Sequence, residues 1–144
     1  MSSLKSTYKI IVTPFEYIVA SALKTIADYI TTRAKSRGIE VSDHDIARMF
    51  PVLEDYLQGR EMKTTAIGRI MEIYARNFGF TNNEERERVE KAVVTIIDKI
   101  SIIRAKEPTR AFKLVRSLRV LLISLVRGWV TLPIEVYEKE EKQS

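Results

Sequence analysis

The chain contains no cysteine. Disulfides, thiolate metal centres and cysteine nucleophiles are thereby excluded. Histidine is almost as scarce: His44 is the only one, and it lies in Asp43-His44-Asp45. Consecutive residues of a helix point about 100° apart, so three in a row do not converge on one ion. Asp43 and Asp45 instead suit the first turn of a helix, where negative charge meets the positive end of the dipole. No glycine-rich phosphate loop and no Gly-x-Ser-x-Gly elbow occurs. Paired acids such as Glu54-Asp55 are neighbours in sequence and read as solvated. We therefore expect no enzymatic activity, no metal and no cofactor.

Long apolar runs are also missing. Val120 to Ile123 is the longest in the C-terminal half, far short of a membrane span. The opening MSSLKSTYKIIVTPF has too short an apolar core for a secretory signal. A cytoplasmic protein with no membrane partner is the expectation. Only two glutamines, Gln58 and Gln143, stand among many Ile, Lys, Arg and Glu, a balance that points towards a thermophile. The five glycines and four prolines are placed where helices would begin, bend or end.

What is present suits one all-α domain. Hydrophobic residues make up 45% of 144, enough for a single core. The net charge of +5 favours an anionic partner. Thr13-Pro14-Phe15-Glu16 reads as a capping box with proline in the first helical position. Phe15, Ile18, Val19, Ala22, Leu23, Ile26 and Ile30 follow at helical spacing, up to Gly38. A second segment opens at Ser42 with Asp45 three residues on and closes at Gly59. Ile46, Met49, Phe50 and Leu53 form its apolar stripe, and Pro51 is expected to bend or split it. A third starts at Thr64 or Thr65, buries Ile67, Ile70, Met71 and Tyr74, and stops at Gly79. Thr81-Asn82-Asn83-Glu84 reads as another capping box, opening a long fourth helix to about Lys106. Pro108 starts a fifth that runs to Gly128. The spacing thus predicts a single-domain bundle of about five helices, near 14–36, 43–58, 64–78, 82–106 and 109–128. Residues 1–12 read as an arm, extended over Tyr8 to Val12; the bundle domain covers 13–130, and 131–144 reads as a frayed tail. No stretch alternates with period two for long enough to form a sheet, and no internal repeat is present.

The segment from Pro108 to Ile134 holds five basic residues and no acid. On a helical wheel, Leu114, Val115, Leu118, Leu121, Leu122, Leu125, Val126 and Trp129 fall in one broad arc that should face the core. Lys113, Arg116, Arg119 and Arg127 fall opposite, with Phe112, Val120 and Ile123 among them. Arginine interleaved with apolar groups is the composition of a partner-binding face. Against nucleic acid, the cations would take phosphates while the apolar groups cover sugars or bases. Phe112, Val120 and Ile123 are the candidate partner contacts, with the arm and a second subunit as alternative covers.

The stretch from Glu61 to Ile70, with Lys63-Thr64-Thr65-x-Ile67 at its centre, resembles a helix start in the small all-helical subunit of type III CRISPR effector complexes. Gly68 stands where that pattern has an arginine, and the aromatic-rich C-terminal pattern of that family is absent. The resemblance implies a non-catalytic antiviral-defence subunit lining RNA in a ribonucleoprotein, with Lys63, Thr64, Thr65 and Arg69 at the matching positions. The same stretch is similar to a helix-turn-helix, which would make those four residues DNA contacts in a regulator. The function expected is therefore nucleic-acid binding within an assembly of other protein subunits, RNA favoured over DNA. A DNA-binding regulator and a protein-binding helical adapter are the alternatives, and a homo-oligomer is compatible with each.

Overall fold

The computed structural model describes residues 14–132, with side chains from residue 17. The arm 1–12 with its extended stretch, the Thr13 cap, the Phe15 side chain and the tail beyond residue 132 lie outside the described residues. Within them the chain is all-α, with six helices and no strand. These are α1 (Pro14–Arg37), α2 (Asp43–Ile46), α3 (Met49–Leu57), α4 (Lys63–Asn77), α5 (Asn83–Lys106) and α6 (Pro108–Arg127).

The sixth helix arises because the second segment splits, and the break falls upstream of Pro51. Proline has no N–H to offer a carbonyl four residues back, and its ring crowds that carbonyl. The carbonyl concerned is Ala47 O, which accepts from Phe50 N at 3.0 Å instead. Pro51 then sits in the first turn of α3, where a missing donor costs nothing. Upstream, the Ser42 hydroxyl accepts from Asp45 N at 3.1 Å, the cap its spacing predicts.

Two other caps differ from the sequence reading. Helix α4 begins at Lys63 with Met62 in the capping position and no side-chain cap, so Thr64 and Thr65 lie inside its first turn. The cap of α5 is Asn82 rather than Thr81: its Oδ1 accepts from Glu85 N at 2.9 Å, and Glu85 Oε1 accepts from Thr81 N at 2.7 Å. The reciprocal pairing is present, displaced by one residue. Gly68 is also an exception to the placement of glycines at helix ends, since it lies within α4 on the exposed side.

The longest helices, α1, α5 and α6, pack on one another, with α3 and α4 packed against α5 and α3 also against α6. Arg33 near the end of α1 pairs with Glu85 near the start of α5 at 3.9 Å, so these two run antiparallel. Glu107 alone separates α5 from α6, which forces a tight reversal. The core is aliphatic where the three meet: Leu23, Ile26, Ile30, Ile96, Ile100, Val115, Leu118 and Leu122 are all buried. An aromatic group closes one end. Tyr29 stacks on Phe80 at 5.1 Å and meets Tyr74 edge-on at 5.7 Å. Its hydroxyl donates to Gly79 O at 2.5 Å, tying α1 to the α4–α5 turn. Burial pushes the phenols of Tyr29 and Tyr74 well above their ordinary range.

Candidate nucleic-acid interface

Helix α6 carries the interface candidate, and its orientation follows from its buried stripe. Ala111, Val115, Leu118 and Leu122 recur at three-and-four spacing and are buried, so the opposite arc faces outwards. Pro108 occupies the first position, and Gly128 ends the helix with φ 74°, a left-handed conformation that closes α6 on hydrogen bonds to Ser124 and Leu125 carbonyls.

That ending corrects one expectation. Trp129 belongs to the core arc only if the helix continues; once Gly128 turns the chain, the wheel no longer applies, and Trp129 is 58% exposed. Ile123 corrects another. It was expected outside the core as a partner contact, yet it is 9% exposed and belongs to the core cluster. Helices α2 and α3 both pack on α6, and Arg127, one turn beyond Ile123, reaches the chain at Val41 and Asp43. The segment leading into α2 thereby meets the last turn of α6, and α2 and α3 give α6 neighbours beyond α1 and α5. A wheel of one helix carries no information about such a neighbour. Phe112 is half-buried and packs against the core. Val120 remains as the apolar group of the exposed face, 61% exposed.

The cations divide in the same way. Arg127 donates to Val41 O at 2.7 Å and to Asp43 Oδ1 at 2.8 Å from Nη2, with Nε a further 3.2 Å from the same carboxylate oxygen. It is a tether between α6 and the start of α2, not an open cation. Arg110 pairs with Glu107 at 3.0 Å. Lys113, Arg116 and Arg119 are exposed and have no hydrogen bond or ion pair among the described residues. They follow each other at three-residue spacing, about 4.5 Å apart along the axis. Val120 follows Arg119 and lies one turn from Arg116. Their guanidinium and ammonium donors are therefore unspent, on a helix whose residues include no acid.

The second candidate group, at the start of α4, is arranged differently. Lys63 forms an ion pair with Asp98 of α5, and this hydrogen bond raises its pKa. Arg69 pairs with Glu61 and, at 3.5 Å, with Asp55; its hydrogen bond to Glu61 raises its pKa in the same sense. Both cations thus tie α4 to its surroundings. Thr64 and Thr65 are exposed. The principal neighbours of α4 are α3 and α5 rather than α6, so the structure does not unite the two groups on one helix pair.

One basic feature escaped the sequence reading. Arg88 and Lys91 are exposed on the α5 side of a groove whose α1 side includes Ile18, Ser21 and Thr25. The mixed charges around Arg88 concealed it; the signal present was Arg88, Lys91 and Thr95 at helical spacing. No group of three or more potential metal-ligating side chains occurs among the described residues, and no helix there is long and apolar enough to cross a membrane. No protein-family model matches the chain, nor does any curated protein or solved structure.

Proposed function

We propose that the protein is a non-catalytic nucleic-acid-binding subunit, and that the α6 face holds the sugar-phosphate backbone of single-stranded RNA within a ribonucleoprotein assembly. One observation carries this reading: Lys113, Arg116 and Arg119 stand exposed without partners among the described residues, around exposed Val120, on a helix with no acid. Three exposed cations without partners among the described residues suit phosphate contacts, which give affinity without reading sequence. Val120 supplies a small apolar surface for a sugar or base.

The α4 positions enter as a secondary set. Lys63 and Arg69 would have to exchange Asp98 and Glu61 for phosphate, one exposed ion pair for another, so each adds little net affinity. The same commitment weighs against a recognition helix at α4. A type III CRISPR effector is the assembly this reading has in view, on the strength of the Lys63-Thr64-Thr65-x-Ile67 resemblance alone. Purification at moderate salt, followed by ultraviolet absorbance and nuclease digestion of any bound polymer, tests the proposal. Bound RNA supports it; protein that binds neither co-purifying nor added single strands contradicts it.

A further inference from the structure

Lys113, Arg116 and Arg119 have no partner among the described residues. The described chain ends at Leu132, five residues past Arg127. The sequence that follows, residues 133–144, holds four glutamates, Glu135, Glu138, Glu140 and Glu141, against two lysines. A strongly basic face and an acidic segment thus follow each other directly in one chain.

We propose that residues 133–144 are the resident ligand of the α6 face: their carboxylates take Lys113, Arg116 and Arg119 and are displaced by nucleic acid. This deepens the function proposed above by giving that site a built-in competitor. Reach is sufficient. From Gly128 back to Lys113 is about 22 Å along the helix at about 1.5 Å per residue. From Gly128 to Glu138 the chain spans up to about 33 Å at about 3.3 Å per residue. Spacing also agrees, since Glu135 and Glu138 lie up to about 10 Å apart in an extended chain and Arg119 and Lys113 about 9 Å apart along the axis. Each contact is exposed and weak alone, but the tether raises the local carboxylate concentration to the order of millimolar. Such a competitor lets a polyanion through and turns isolated anions away.

The chain has no cysteine, so a single spin label is introduced cleanly as Gln143→Cys in the full-length protein. The expected result is selective broadening of backbone amides from Lys113 to Val120 at low salt, abolished at about 0.5 M salt as screening shortens. Arg116→Gln with Arg119→Gln should abolish it as well. Broadening that is absent, or that falls elsewhere, overturns the proposal. In parallel, Glu135, Glu138, Glu140 and Glu141 are changed together to glutamine. The variant should bind a fluorescent oligo-uridine 15-mer about five- to twentyfold more tightly at low salt, with the gain shrinking as salt rises. Equal affinity for both proteins overturns the competitor role. If neither protein binds the oligonucleotide while the selective broadening is present, the segment's docking stands and the RNA reading fails.

Discussion

Removing the Arg127 side chain beyond Cβ, as Arg127→Ala, breaks the tether between α6 and the segment that leads into α2. The structure gives its worth. Nη2 donates to Val41 O at 2.7 Å and to Asp43 Oδ1 at 2.8 Å, with Nε at 3.2 Å from the same oxygen. Hydrogen bonds to charged groups contribute about 1.5–3 kcal/mol when sheltered. Here the arginine side chain is 33% exposed and the aspartate 57%, so solvent screening reduces the ionic part to at most about 1 kcal/mol. The bond to Val41 O adds about 1 kcal/mol, giving a loss of about 1–2 kcal/mol in all. Urea denaturation followed by circular dichroism measures it. A double-mutant cycle with Asp43→Asn isolates the ionic part and should return a coupling of about 0.5 kcal/mol or more. A change under about 0.3 kcal/mol for Arg127→Ala would mean that Arg127 does not hold α6 to the segment before α2, and strictly additive losses would mean that Asp43 has no part in the tether. The same experiment separates tether from ligand: Arg116→Gln and Arg119→Gln, at exposed positions without partners among the described residues, should each shift stability by less than about 0.5 kcal/mol.

Three further outcomes are expected. Leu122→Ala empties a fully buried site where α6 meets the core and should cost about 2–5 kcal/mol by equilibrium unfolding; a loss under about 1 kcal/mol would mean that α6 is not seated as described. Tyr29→Phe removes the donor to Gly79 O and should cost about 1–2 kcal/mol, with faster amide exchange of the Phe78–Asn82 turn; unchanged exchange there would contradict a structural role for that hydroxyl. Asn82→Ala deletes the α5 cap and should cost about 1 kcal/mol, whereas Thr81→Ala should cost clearly less. The reverse order would restore the cap to Thr81.

The helices were legible because their signals are local. Pro14, Pro108 and Ser42 mark helix starts, and the Ile and Leu spacings of α1, α5 and α6 fix which faces are buried. Where the reading went astray, the cause was a neighbour or a single backbone step. Ile123 is buried although it lies opposite the Leu/Val stripe, because α6 has neighbours in α2 and α3 as well as in α1 and α5. Trp129 leaves the core arc because Gly128 turns left-handed. Pro51 split its segment four residues upstream of itself, at the carbonyl it fails to satisfy. The candidate site was legible only as a list of cations. Charge and spacing picked out Lys63, Arg69, Lys113, Arg116, Arg119 and Arg127 alike. Their division into paired and unpaired members depends on Asp43, Glu61 and Asp98, two of which come from other helices.

In the function proposed, Lys113, Arg116 and Arg119 bind the backbone of single-stranded RNA. The direct test is fluorescence anisotropy of a labelled oligo-uridine 15-mer across a salt series, for the wild type and for Arg116→Gln with Arg119→Gln. Each phosphate contact to a single strand contributes about −0.7 to the slope of log K against log salt. Over the salt range in which residues 133–144 are already screened from the face, three contacts give the wild type about −2, and the double change should bring the slope close to −0.7 while weakening binding. Thermal unfolding of the two proteins should coincide within about 2 °C. Binding that keeps both its affinity and its slope after the double change would contradict the account.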